Sequence, residues 1–138
     1  MFKLPAAYMC GVRVKEISET SCVTTVRHSW INQNPFKSMY FAVQAMAAEL
    51  STGALVMNAL QQSPHKISML VAQNKAVFKK KATGKISFAC TEGGKIPLLI
   101  EKAIETGEVQ TFWLKSTGLN QAGEVVAEFN FMVHSKSN

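Results

Sequence analysis

The period of the apolar positions changes along the chain, and each change marks an element. Between Val12 and Ser29 the apolar residues Val12, Val14, Val23 and Val26 are separated by polar ones in β-rich composition. That pattern predicts a strand pair or one long bent strand, closed by Trp30 and Ile31. The next residues, Asn32-Gln33-Asn34-Pro35, are loop chemistry. Asparagine tolerates turn geometry, and the residue before a proline is held out of the α region. From Met39 to Leu60 good helix formers run for several turns. Asn34 with Pro35, or equally Ser38 just before Met39, supplies the expected N-cap. The helix is expected to end near Gln62, because Pro64 follows.

The remainder reads as strands with one short helix. The stretch KISMLVAQNKAVFKKKATGKISFACTEGG holds two or three strands, with turn chemistry at ATGK and TEGG. The stretch IPLLIEKAIETGE predicts an amphipathic helix stopped by Gly107. Beyond it Thr111, Trp113 and Lys115 alternate with Phe112 and Leu114. LNQAG forms a turn, and EVVAEFNFMVH is a long last strand. One long helix and several antiparallel strands make an α+β fold, with the helix laid on a sheet. The 138 residues suit a single domain, 1–138.

Periodicity within the long helix raises the first chemical question. Met39, Val43, Met46 and Leu50 form one stripe. Ala42, Ala45, Ala48 and Glu49 occupy another side, and Phe41, Ala47, Ala54 and Leu55 fill more of the circumference. A helix apolar nearly all round is expected to be buried. No Lys or Arg lies between Lys37 and Lys66. Glu49 is therefore expected to be at least partly buried without a local partner. A carboxylate kept at that cost is a candidate for chemistry. Gly53 costs about 1 kcal/mol inside a helix relative to Ala, and close approach of another backbone is its expected reason.

A long apolar helix wrapped by an antiparallel sheet, in a chain of this length, resembles the hotdog fold. The helix entrance NPFKSMYFAVQAMAAE resembles, in its spacing, that of hotdog acyl-CoA thioesterases of the phenylacetyl-CoA type. Laid on without gaps, their Asn falls on Asn34 and their Thr on Ser38. Their His-Gly-Gly falls on Tyr40-Phe41-Ala42 and their carboxylate on Glu49. The stretches FKKKATGKISFAC and STGLNQAGEVVAEFNFMV resemble the later strands of the same fold. The resemblance implies an acyl-CoA or related thioester as substrate, no cofactor, and a site at the interface of a homodimer, or of a dimer of dimers. Glu49 would act as general base or nucleophile, Asn34 would position water or thioester, and amides at Tyr40 or Phe41 would polarise the carbonyl. The same helix also resembles that of hydroxyacyl-thioester dehydratases. There the catalytic Glu position is Gln44 and the His position is Trp30, with His28 nearby, so both acid–base groups are missing.

Composition sharpens this in three ways. Charged residues are only 17 % of the chain, below the roughly 25 % of an average soluble protein, which fits surface hidden in an oligomer. The net charge of +6 favours anionic partners. Its dense cluster is Lys79, Lys80, Lys81 and Lys85; on a strand Lys79 and Lys81 would share a face suited to CoA phosphates. The alternative is an edge strand whose lysines block pairing. Ser38 and Thr52 complete the candidate substrate contacts, Thr52 alternatively bonding back to the helix. Cys10, Cys22 and Cys90 form no CxxC, so no metal site is expected, and reduced thiols suit a cytoplasmic protein. Pro5 and Gly11 interrupt the N-terminal apolar residues, and the polar residues within Met39–Leu60 argue against a membrane span. Nucleic-acid binding is disfavoured, because no recognised motif accompanies the charge. The competing function is a non-catalytic hotdog module that binds acyl-CoA or another small acyl ligand. His65 and His134 are expected at the surface, and His28 near the site.

Overall fold

The computed structural model describes residues 5–29 and 32–137. Trp30 and Ile31 lie outside the described residues. The elements run α1 (Pro5–Met9), β1 (Arg13–Ile17), β2 (Cys22–Arg27), α2 (Phe41–Gln61), β3 (Ile67–Phe78), β4 (Lys85–Cys90), α3 (Ile96–Thr106), β5 (Gln110–Leu119) and β6 (Val125–Ser137). The strands form one antiparallel sheet in the order β1-β2-β4-β5-β6-β3. This is the α+β architecture expected, a long central helix on an antiparallel sheet. The strand pair before the helix, the short helix and the last hairpin all form where the pattern placed them. Gly107 ends α3 at φ 67, donating its amide to Ala103. The short α1 has no periodic signal in the sequence, yet its Ala7 joins the core with Val12.

Helix α2 packs on β2, β4 and β5, at the centre of the sheet. Two buried polar ties fix its rotation. The Thr24 hydroxyl of β2 donates to the Ala47 carbonyl at 2.7 Å. The Ser51 and Ser116 hydroxyls, from α2 and β5, lie 2.7 Å apart, and Ser51 also donates to the Ala48 carbonyl. In a dry interior such bonds allow little slippage, because an orphaned hydroxyl is costly. Around them the core fills in two clusters. One holds Val43, Ala47, Leu50, Phe88, Phe129 and Phe131, and the other Ala54, Leu55, Ile96, Ile100 and Leu114.

The helix is not buried all round, and that corrects the expectation from its wheel. Phe41, Glu49 and Met57 are exposed, and Ala42, Ala45, Met46 and Gly53 are partly so. The sheet of one chain covers only one side of α2. The other side remains open, with small residues between Phe41, Met46 and Met57. A Cβ added at Gly53 would meet nothing within 4 Å, so outside the helix no backbone among the described residues approaches there. No helix among the described residues is long and apolar enough to cross a membrane.

Two tight spots in the sheet have measurable consequences. A Cβ at Gly118 would stand 2.5 Å from the ring of Phe88, which is fully buried and has nowhere to go. Gly118→Ala is expected to cost about 1–3 kcal/mol in urea unfolding, as overpacking does. Cys22 and Cys90 face each other across β2 and β4, both buried. Burial, then the neighbouring Cys90, pushes the Cys22 thiol up to about 11, and burial also raises Cys90. The folded chain thus keeps protons that the unfolded chain gives up. Stability is fully present below about pH 9 and falls as the pH rises towards about 11. In urea unfolding the wild type should lose more stability over that window than Cys22→Ala; parallel losses would refute the assignment.

Candidate functional site

The chain that enters α2 is held by its backbone rather than by a side-chain cap. Asn34 and Ser38, the expected caps, close a loop instead. Asn34 Oδ1 accepts from the amides of Phe36 at 2.9 Å and Ser38 at 3.3 Å, and its Nδ2 donates to Ser38 Oγ at 3.1 Å. Lys37 sits at φ 58 in that loop. The chain then runs extended through Met39 and Tyr40. The Met39 amide donates to the Ala82 carbonyl, and the Tyr40 amide to the Asn32 carbonyl, each at 2.8 Å. Tyr40 is the N-cap, at φ −59 and ψ 136, and its side chain makes no capping bond.

These bonds decide which donors remain. Of the two amides proposed to polarise a carbonyl, that of Tyr40 is already engaged. The amides of Phe41 and Ala42 make no hydrogen bond among the described residues. They are orphan donors at the positive end of a 21-residue helix, a place that favours an anion or a polarised carbonyl.

A cleft of about 560 Å³ opens at this point. It brings together six of the eight residues singled out from the sequence: Asn34, Ser38, Tyr40, Phe41, Lys79 and Lys81. Aromatic rings build one wall. Tyr40 and Phe41 lie 5.0 Å apart between ring centres, Phe41 and Phe78 6.4 Å, and Phe78 reaches the core ring of Phe129 at 5.6 Å. Phe36, Tyr40, Phe41 and Phe78 all show large exposed area here.

The lysines stand on a loop, not on an alternating strand, because β3 ends at Phe78. The expectation that Lys79 and Lys81 share a strand face is therefore corrected. Lys79 pairs with Glu128 at 3.4 Å, Lys80 with Glu124, and Lys81 donates to the Phe36 carbonyl at 3.4 Å. The hydrogen bond from Lys80 holds the Glu124 carboxyl below the usual range. All three ammonium groups remain exposed at the rim.

Glu49 and Thr52 do not line the cleft. Glu49 is exposed on the open side of α2, against the expectation of burial. Thr52 is buried and its hydroxyl donates back to the Glu49 carbonyl at 2.9 Å. His28 is half-buried near the loop, its amide on the Gly84 carbonyl and its Nε2 buried with no partner among the described residues. His65 is exposed, and His134 is half-buried, its Nδ1 2.8 Å from the Thr111 hydroxyl. Two residues matter more than their sequence signal suggested. Asn32 is buried and ties three segments: its Oδ1 accepts from the Ser29 amide, and its Nδ2 donates to the carbonyls of Cys10 and Arg27. Gln44, where a dehydratase keeps its acid, is buried and donates to the Met39 carbonyl at 3.3 Å, which supports the helix entrance. Among the described residues no three His, Cys, Asp or Glu are placed to hold a metal ion.

Comparison with known proteins gives the fold a family. No curated protein matches the chain. Solved structures do. A Pseudomonas aeruginosa protein of unknown function, PA5026, described as a "probable thioesterase", is 23 % identical with a TM-score of 0.83, over 98 % of this chain and 89 % of that one. A Chlorobaculum tepidum protein of unknown function is 14 % identical with a TM-score of 0.84, over 98 % and 88 %. The E. coli PaaI protein of the phenylacetic acid degradation operon is 14 % identical with a TM-score of 0.68, over 94 % and 83 %. At these identities the likeness shows the fold, which is the hotdog fold. The family model described as a domain of unknown function, DUF4442, matches residues 1–134, and the chain belongs to that family.

Proposed function

We propose that the protein is a cytoplasmic acyl-CoA thioesterase whose site forms between two copies of the chain. The observation that carries this reading is that Phe41 lines an aromatic-walled cleft while its amide, like that of Ala42 next to it, makes no hydrogen bond among the described residues. A thioester carbonyl seated there would place its oxygen on those donors. Charge that develops on the oxygen during attack would gain most from them, because they are already oriented. Lys79 and Lys81 at the rim would meet the phosphates of CoA. Asn34 and Ser38 would shape the loop that forms the opposite wall.

Glu49 must then come from elsewhere. It lies eight residues beyond Phe41, about 12 Å along the helix axis at 1.5 Å per residue. A general base acts within hydrogen-bond reach, or through one water. Glu49 therefore would not serve the cleft of its own chain and would serve that of a second copy. Its position on the open side of α2 supports this. So does β3, an edge strand with Leu70, Val77 and Phe78 exposed, where another copy could add its own edge. In the reaction a water attacks the carbonyl carbon as Glu49 takes its proton. The tetrahedral oxyanion rests on the Phe41 and Ala42 amides, and it collapses with cleavage of the carbon–sulfur bond, Glu49 returning the proton to the leaving sulfur to give the carboxylic acid and free CoA thiol. Thr52, bonded to the Glu49 carbonyl, would hold that turn of helix steady. A homodimer, alone or paired into a dimer of dimers, is the smallest active unit.

The rings favour a second reading. In the gapless match Tyr40 and Phe41 fall where the related thioesterases keep His-Gly, and their bulk would narrow the approach of a thioester. A non-catalytic module that binds acyl-CoA or another small acyl ligand would keep the cleft and the lysines without turnover.

The discriminating assay is hydrolysis of a panel of acyl-CoAs by wild type and Glu49→Gln. The catalytic reading expects wild-type turnover, and a fall in kcat of about 10²-fold or more in the variant. An equal rate in both removes Glu49 from the chemistry. No turnover above buffer, with CoA binding retained, selects the binding module.

A further inference from the structure

A second cavity, of about 340 Å³, lies away from the cleft just described. It is a groove between the last turn of α2 and the first two turns of α3. Ala59, Pro64, Pro97, Ile100 and Ile104 supply its apolar surface. Its volume falls at the small end of the range for small-molecule sites. The two charged groups that line it are both carboxylates, Glu19 and Glu101, and no lysine or arginine does.

Three features make the groove electronegative. Glu19 sits in the turn between β1 and β2, and the backbone of that turn is locked against Gly93, where no Cβ would fit. Glu101 rises from the first turns of α3. Neither takes part in an ion pair among the described residues. The C-terminal end of α2 supplies the third contribution, since a long helix ends in partial negative charge. No basic residue in its last turn offsets this. The Coulombic preference runs against the rest of the molecule, which carries a net charge of +6. The chain as a whole repels a cation, and the two carboxylates of the groove offset that locally.

We infer that this groove binds a small amphiphilic cation, one protonated or quaternary nitrogen on a hydrocarbon body. The hydrocarbon lies on Ala59, Ile100 and Ile104, and the nitrogen sits between Glu19 and Glu101. The inference stands apart from the thioesterase reading, because none of its residues belongs to the first cleft.

The test is titration of the isotope-labelled full chain with hexyltrimethylammonium, followed by amide resonances. Hexanol and hexanesulfonate serve as neutral and anionic probes of the same length. Saturable shifts at Ala59, Ile100 and Ile104 are expected, with the cation bound about tenfold more tightly than hexanol, as two exposed carboxylates can supply. In a Glu19→Gln, Glu101→Gln double variant the cation should fall to the affinity of hexanol, while hexanol itself binds unchanged. Absence of shifts in the groove overturns the inference. So does binding of the sulfonate as tight as that of the cation, or a cation preference that survives in the double variant.

Discussion

The hydrogen bond from the Tyr40 amide to the Asn32 carbonyl sets the start of the central helix. With that donor engaged, helical geometry begins at Phe41, and the unbonded amides are those of Phe41 and Ala42. A shift of one residue would hand the exposed donors to different positions and turn the aromatic side chains by about 100° around the axis. The bond holds because each partner is itself fixed. Asn32 is buried among the carbonyls of Cys10 and Arg27, Met39 is tied to Ala82, and Gln44 reaches back to Met39. The entrance is a small knot of backbone bonds between the β3–β4 loop, the end of β2 and the helix.

Rotation of the helix is set by a different pair of contacts, Thr24 to Ala47 and Ser51 with Ser116. Together these ties settle the relation between the two chemical elements of the helix. Phe41, at its N-terminal end, lines the aromatic cleft of its own chain, and Glu49 is exposed on the side away from the sheet. That separation is what makes a second copy part of the functional proposal. It also accounts for a helix that is mostly apolar yet half open: Val43, Ala47, Leu50, Ala54 and Leu55 are buried, while Phe41, Glu49 and Met57 stand on the open face.

The sheet was legible from the sequence, and the site only in part. Strands β5 and β6 alternate cleanly between buried and outward residues, so local pattern alone placed them, and Gly107 marked the end of α3 by its left-handed backbone. The helix start was misplaced at Asn34 or Ser38 because capping rules are local, while the bonds that decide it come from Asn32 and Ala82. The exposure of Glu49 was missed for a related reason. A helical wheel counts apolar side chains but carries no information on how much of the circumference one sheet can cover. Placing Lys79 and Lys81 on a strand extends β3 past Phe78, where pairing with β6 stops. Cys22 and Cys90, distant in sequence, become direct neighbours only through the register of β2 on β4.

The central claim is that the entrance of α2 is where ligand binds. The most direct measurement is a titration of the labelled protein with a non-hydrolysable thioether analogue of an acyl-CoA, read at backbone amides. The account predicts that the Phe41 and Ala42 resonances move together and saturate, while the already bonded Tyr40 amide moves much less. Binding with Phe41 and Ala42 unmoved, and shifts gathered on another surface, would contradict it.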